Sequence, residues 1–216
     1  VLFATWEWSQ LWTSPLEIFA VVTGLICVTL LTFENWSPKL TWWNWPVGIL
    51  SAGAYVYIFW DYELYFNSAL QIFYVATGFY GAWAWRRGGV DGGELTVRRI
   101  TPLTVLAYTA GSIGMAGLLA VALFDVFGVD SASPFLDALV VTLSVSAQFI
   151  MTRKYLQHWL FWIAVDIIAV YLFWSQDLYL TSALYFVFGC LSTRGLFTWM
   201  TAHRKQIEPT PVPAPV

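Results

Sequence analysis

Two stretches of the chain carry one pattern written twice. Residues 44–85 align without a gap onto 158–199 at a constant offset of 114. Trp45/Trp159, Trp60/Trp174, Leu64/Leu178, Tyr65/Tyr179, Ser68/Ser182, Ala69/Ala183, Leu70/Leu184, Gly81/Gly195 and Trp85/Trp199 are identical, and Glu63/Asp177 keep an acid. Tryptophan and glycine matches are hard to obtain from apolar composition alone, so an internal repeat is the first constraint on the fold. A second echo, SPLEIFAVVT at 14–23 against SPFLDALVVT at 133–142, extends both copies toward their N-terminal ends.

The solvent of such a unit follows from its residues. The chain is 59% hydrophobic and only 11% charged, with mean hydropathy +0.65, against about 25% charged residues in a soluble domain. Apolar runs close to the length that crosses ~30 Å of hydrocarbon recur along it, without the short alternating segments of a β-barrel. The fold class is therefore an all-α integral membrane protein. The pattern predicts seven transmembrane helices over 14–33, 43–60, 66–85, 103–127, 133–151, 159–174 and 180–200. They group as 1–13, an interfacial segment; 14–86, a first three-helix repeat; 87–132, a cytoplasmic loop and linker helix; 133–200, a second three-helix repeat; and 201–216, a disordered Pro-rich tail. In this 3+1+3 arrangement the single linker helix gives the two repeats the same orientation in the membrane, as in transporters whose substrate sits between parallel halves.

Charge placement orients the spans. Arg86, Arg87, Arg98 and Arg99, then Arg153, Lys154 and His158, then His203, Arg204 and Lys205 fall on one side; Asp61, Glu63, Asp125, Asp130 and Asp177 fall on the other. Positive charge stays in the cytoplasm, which places the N-terminus outside and the C-terminus inside. A net charge of −3 leaves no nucleic-acid footprint. Cys27 and Cys190 read as packing residues within apolar runs. No metal cluster, cofactor motif or paired catalytic constellation is evident, which argues against an enzyme. The Gly-rich stretch at 88–93 lacks the ending of a phosphate loop and reads as a flexible connector.

Polar groups inside the spans ask for a partner or a task. Asn67, Gln71, Tyr74 and Gly78 share one helix face, as do Asp137, Val141, Ser144 and Gln148, and Trp159, Trp162 and Asp166 share a third. The repeats differ where these faces meet: Gly48 and Ala52 become Trp162 and Asp166, and Gln71 becomes Tyr185. An asymmetric ligand gives a reason for that difference. Trp42, Trp43, Trp45, Trp60, Trp85, Trp174 and Trp199 lie near span ends and read as interfacial anchors. The small residues of the fourth span (Gly111, Ser112, Gly114, Ala116, Gly117) suit close packing, against the chain's own halves or within a homo-oligomer.

The combination Trp45-Pro46-Gly48, Leu70-Gln71-Tyr74, Ala147-Gln148-Thr152-Arg153-Lys154 and Trp159-Trp162-Asp166 resembles the PnuC vitamin transporters, over about 14–199. The resemblance implies a SWEET-like fold of two parallel repeats and facilitated diffusion of nicotinamide riboside across a bacterial inner membrane, drawn forward by a separate cytoplasmic kinase. Thiamine, riboflavin or another flat vitamin remains an alternative cargo, and a non-transporting scaffold or receptor a remote one. A pyridinium ring suits aromatic faces, here Trp162 with Tyr74 or Tyr185. A carboxamide suits Gln71 and Gln148. Ribose hydroxyls suit Asn67, Ser144 or Asp166.

Overall fold

Helix starts are set by the residues the sequence places there. Pro15, Pro102 and Pro134 each open a helix, where a missing N–H costs nothing. The Thr101 hydroxyl caps its helix by accepting from Thr104 N at 3.2 Å. The structure, a computed structural model, describes residues 15–62, 65–122, 133–177 and 179–207. Segment 1–13, Glu63, Asp125 and Asp130 lie outside the described residues.

The described long helices are α1 (Pro15–Leu31), α2 (Asn44–Asp61), α3 (Tyr65–Arg87), α4 (Pro102–Val121), α5 (Pro134–Thr152), α6 (His158–Ser175) and α7 (Tyr179–Ile207). A short helix, Pro38–Trp42, joins α1 to α2. Helices α4, α5 and α6 are long and apolar enough to cross a membrane, and α1 is a shorter apolar helix. The outer surface is apolar, with Leu118, Ile167, Phe186 and Phe79 all more than 60% exposed. That surface suits lipid, not water.

Packing follows chain order: α2 lies between α1 and α3, and α6 between α5 and α7. The two trios meet along α3–α5 and α1–α7, and α4 packs on α5. Ser112 and Thr142 fasten α4 to α5 by donating to each other's backbone carbonyls, at 3.4 and 3.0 Å. The sequence offset of 114 recurs in space. Ser68 Oγ donates to Val56 O, and Ser182 Oγ to Val170 O, each at 3.0 Å. Gly81 lies against the Trp45 ring and Gly195 against the Trp159 ring, so closely that a Cβ would overlap either indole.

Several expectations are corrected. Trp45, Trp85, Trp159 and Trp199 are at most 3% exposed and form one buried cluster at the basic end of the molecule. Their ring centroids lie 5.1 Å (Trp45–Trp85), 5.6 Å (Trp85–Trp199) and 6.0 Å (Trp159–Trp199) apart. They are core residues rather than interfacial anchors, and Trp159 faces this cluster rather than a cavity. Trp85 Nε1 donates to Met151 O at 3.1 Å and Trp199 Nε1 to Leu31 O at 2.8 Å, each indole bracing the other trio. Trp43, Trp60 and Trp174 are more than half exposed, as anchors should be.

His158 is fully buried against Trp159 and Trp199 and carries no surface charge. Lys154 is also buried and pairs with Glu34, which follows α1, at 2.8 Å. The tail is helical to Ile207, because α7 continues past 200. The connector after α3 is fastened: Arg98 N donates to Lys154 O, Leu156 N to Arg98 O, and Leu95 and Val97 enter the tryptophan cluster. Gln157 binds both backbone groups of Ile100, at 3.1 Å each. Of the small residues of α4, Ser112 and Ala116 are buried, while Gly111, Gly114 and Gly117 meet none of the described residues where a Cβ would stand. Cys190 is exposed, while Cys27 Sγ reaches Asn44 O at 3.3 Å.

Candidate functional site

The middle of the molecule, where the trios meet, gathers polar side chains from several helices. On the α3–α5 seam, Gln148 Nε2 donates to Thr77 Oγ1 at 3.2 Å. One turn away the side chains of Tyr74 and Ser144 hydrogen-bond. The 3.6-residue period of both helices turns these residues inward, because apolar neighbours such as Ile72 and Phe149 take the outward face.

On the α6–α7 side, Asp166 is 5% exposed and accepts a hydrogen bond from Ser192 Oγ at 2.9 Å. Tyr185 lies within electrostatic reach of Asp166, of Tyr74 and of Tyr55 on α2. The Tyr185 ring stacks on Phe173 at 5.1 Å, fixing the plane that it presents. The same positions in the first repeat are Ala52 for Asp166, Gly78 for Ser192 and Gln71 for Tyr185, so the carboxylate and its donor are present on one side only.

Of the residues singled out in the sequence, Tyr74, Ser144, Gln148, Asp166 and Tyr185 are thus brought to one region. Gln71 is half-buried one turn before Tyr74 and makes no hydrogen bond to the described residues. Gln148 likewise uses only one of its amide groups. Asn67 is half-buried at the start of α3 and engaged with a neighbour. Trp162 stands one turn before Asp166, half-buried and packed against the cluster of Leu143, Ala147, Ile150, Phe161 and Val165. Its indole N–H has no hydrogen-bond partner among the described residues. Tyr55, Thr77 and Ser192 were not anticipated, although Ser192 follows Tyr185 by seven residues and shares its helix face.

The chemistry of this region is aromatic, amide and hydroxyl, with the Asp166 carboxylate at its centre and the buried Glu17 of α1 within electrostatic reach of Tyr55. Among the described residues the basic groups nearest in sequence are spoken for or peripheral: Lys154 is paired with Glu34, and Arg194 lies over the Phe33 and Trp36 rings at the basic end. Two further hollows lie elsewhere, both against α4.

A helical membrane protein with a polar centre between two related trios defines a small-solute transporter. The profile of the nicotinamide mononucleotide transporter family matches residues 14–201, and the chain belongs to that family, the PnuC transporters. These are transporters, not enzymes. The nicotinamide riboside transporter PnuC of Escherichia coli is 27% identical over 89% of this chain and 88% of its own length. That of Neisseria mucosa is 27% identical over 86% and 72%. The riboflavin/roseoflavin transporter RibM of Streptomyces davaonensis is also 27% identical, over 80% and 81%. In three dimensions the chain resembles the crystal structure of the vitamin B3 transporter PnuC, with a TM-score of 0.66 and 24% identity over 91% and 86% of the two chains.

Proposed function

We propose that the protein carries nicotinamide riboside across a bacterial inner membrane by facilitated diffusion. The transport would be driven inward by cytoplasmic phosphorylation of the vitamin. The observation that carries this reading is the one-sided polar centre, in which aromatic rings, two amides with free groups and the buried Asp166 carboxylate converge. A cationic pyridinium gains from Tyr74, Tyr185 and Trp162 by stacking and cation–π attraction. Asp166 offsets its charge, Gln71 and Gln148 meet the carboxamide, and Asn67 and Ser144 meet ribose hydroxyls. The family profile is described by the mononucleotide, but a phosphate would meet Asp166 with no cation beside it. The riboside suits the site better.

The two trios, as three-helix repeats joined by α4 in a 3+1+3 arrangement, would rock about this centre to expose it to either side. The basic end would face the cytoplasm, following the positive-inside rule. The likeness to RibM favours riboflavin as a second cargo reading, and thiamine is a third flat vitamin to test.

Calorimetric titration of the purified chain with nicotinamide riboside, riboflavin, thiamine and nicotinamide mononucleotide tests the reading. The riboside should bind alone or tightest, and Gln71→Ala and Trp162→Ala should each weaken it about tenfold or more, about 1.4 kcal/mol. Parent-like affinity in both variants would show the pocket to be misplaced, and preference for another vitamin would move the cargo.

A further inference from the structure

Both hollows against α4 belong to one continuous surface. The first, about 340 Å³, lies at the basic end and is walled by Arg99, Thr101, Tyr108, Phe149, Arg153 and Tyr155. The second, about 440 Å³, runs on from it between α4 and α5, past Ala107, Gly111, Met115 and Val145. Thr104 and Tyr108 wall both, so the hollows share an edge. The upper groove exists because Gly111 has no side chain and none of the described residues lies where its Cβ would be. The Ser112, Ser146 and Thr142 hydroxyls are already used: Ser112 bonds Ser146 at 2.8 Å, and Thr142 donates to Ser112 O. What remains exposed to an occupant is mainly apolar.

The lower hollow has the opposite character. Arg99 and Arg153 are both exposed and line it, and neither forms an ion pair with a described carboxylate. The Arg153 guanidinium is steered by the Phe149 ring, at 5.4 Å from its centroid. The walls of the hollow include no acid.

We infer that this joined hollow is the seat of one anionic phospholipid, its phosphate between Arg99 and Arg153 and an acyl chain along the α4–α5 groove. Charge complementarity selects the headgroup, because arginine meets phosphate oxygens in a fork geometry. The depth of the groove selects the chain: it starts at the ring of charged residues that marks a membrane surface and runs inward along two membrane-length helices. The site is separate from the polar centre and touches none of the residues placed there. A lipid held here would fill the space between α4 and α5 that the small residues leave open.

The test is native mass spectrometry of the full chain, released from detergent carrying either phosphatidylglycerol or phosphatidylcholine. The wild-type protein should retain phosphatidylglycerol in preference. R99Q/R153Q should lose that preference roughly tenfold or more, because each arginine near an anionic headgroup contributes on the order of one factor of five. G111L, whose Cβ enters open space in the groove, should lower retention while both arginines remain. Equal retention of both lipids by wild-type protein, or unchanged preference in R99Q/R153Q, would overturn the inference. Full displacement of phosphatidylglycerol by inorganic phosphate, with wild-type retention in G111L, would also overturn it, by showing an anion site without a lipid seat.

Discussion

Glu34 and Lys154 form a buried ion pair between the turn after α1 and the turn after α5, and removing either partner should be costly. Their side chains are 1% and 6% exposed and the oxygen–nitrogen distance is 2.8 Å. At an effective dielectric constant of about 20 the attraction is about 6 kcal/mol before desolvation is set against it. Desolvating two ions takes back most of that, so the pair as a whole adds little. The asymmetry lies in breaking it. Lys154→Met keeps the packed stem and leaves Glu34 buried, with Oε2 already lacking a hydrogen-bond donor among the described residues. That variant should lose about 3–5 kcal/mol. Glu34→Gln should cost less, because the Lys154 ammonium keeps the Trp85 ring, whose centroid is 4.7 Å away.

The double variant E34L/K154M has no buried charge and should return to within about 2 kcal/mol of the parent. Thermal unfolding in a fixed detergent reads this directly, since at this chain length each kcal/mol moves Tm by about 2–4 °C. Lys154→Met alone should fall by roughly 6 °C or more, and the double variant should recover most of it. Single variants within about 1 kcal/mol of the parent would refute the reasoning, as that is what a hydrated pair gives. A double variant as unstable as the two singles summed would refute it too, by showing no coupling between the residues.

Two further outcomes rest on the packing around the same end. Gly195→Ala and Gly81→Ala should each destabilise by about 1–3 kcal/mol, because a methyl group overlaps the Trp159 or Trp45 ring; equal Tm for variants and parent in the same scan would contradict this close approach. Gln157→Ala removes both bonds to Ile100 and should raise proteolytic cleavage within 88–100 severalfold, since the connector loses a fastening that the glycines before it do not supply.

The number of long helices and the repeat were legible because they rest on apolar run length and on identities at one constant offset. The fate of the tryptophans was not. A tryptophan near a span end satisfies the interfacial rule whether its face turns to lipid or to a partner helix. Trp60 and Trp174 turn outward and Trp85 and Trp199 inward, although both pairs are repeat-matched. The separating signal was present in the glycines: Gly81 and Gly195 lie four residues before Trp85 and Trp199 on the same helix face, where the Trp45 and Trp159 rings fit against backbone. His158 and Lys154 misled for a related reason. A basic residue between two spans counts as surface charge in an orientation rule, but Lys154 has Glu34 as a buried partner from a distant turn. Sequence spacing carries no information on that pairing.

The same symmetry gives a reason for where function sits. Features shared by both repeats, the serine-to-carbonyl bonds of Ser68 and Ser182 and the glycine–indole contacts, lie within each trio and hold its helices together. Each also recurs with nearly the same geometry, as expected of a scaffold in which either half must survive the same packing constraint. Features present once, the Asp166–Ser192 pair, Tyr185 and the Gln148–Thr77 bond, collect where the trios face one another. A buried carboxylate is expensive to keep in an apolar bundle, and the first repeat does without one at this position, since Ala52 and Gly78 stand where Asp166 and Ser192 do in the second. A scaffold built twice and a polar centre built once is the division of labour expected when two like halves must enclose one unlike molecule.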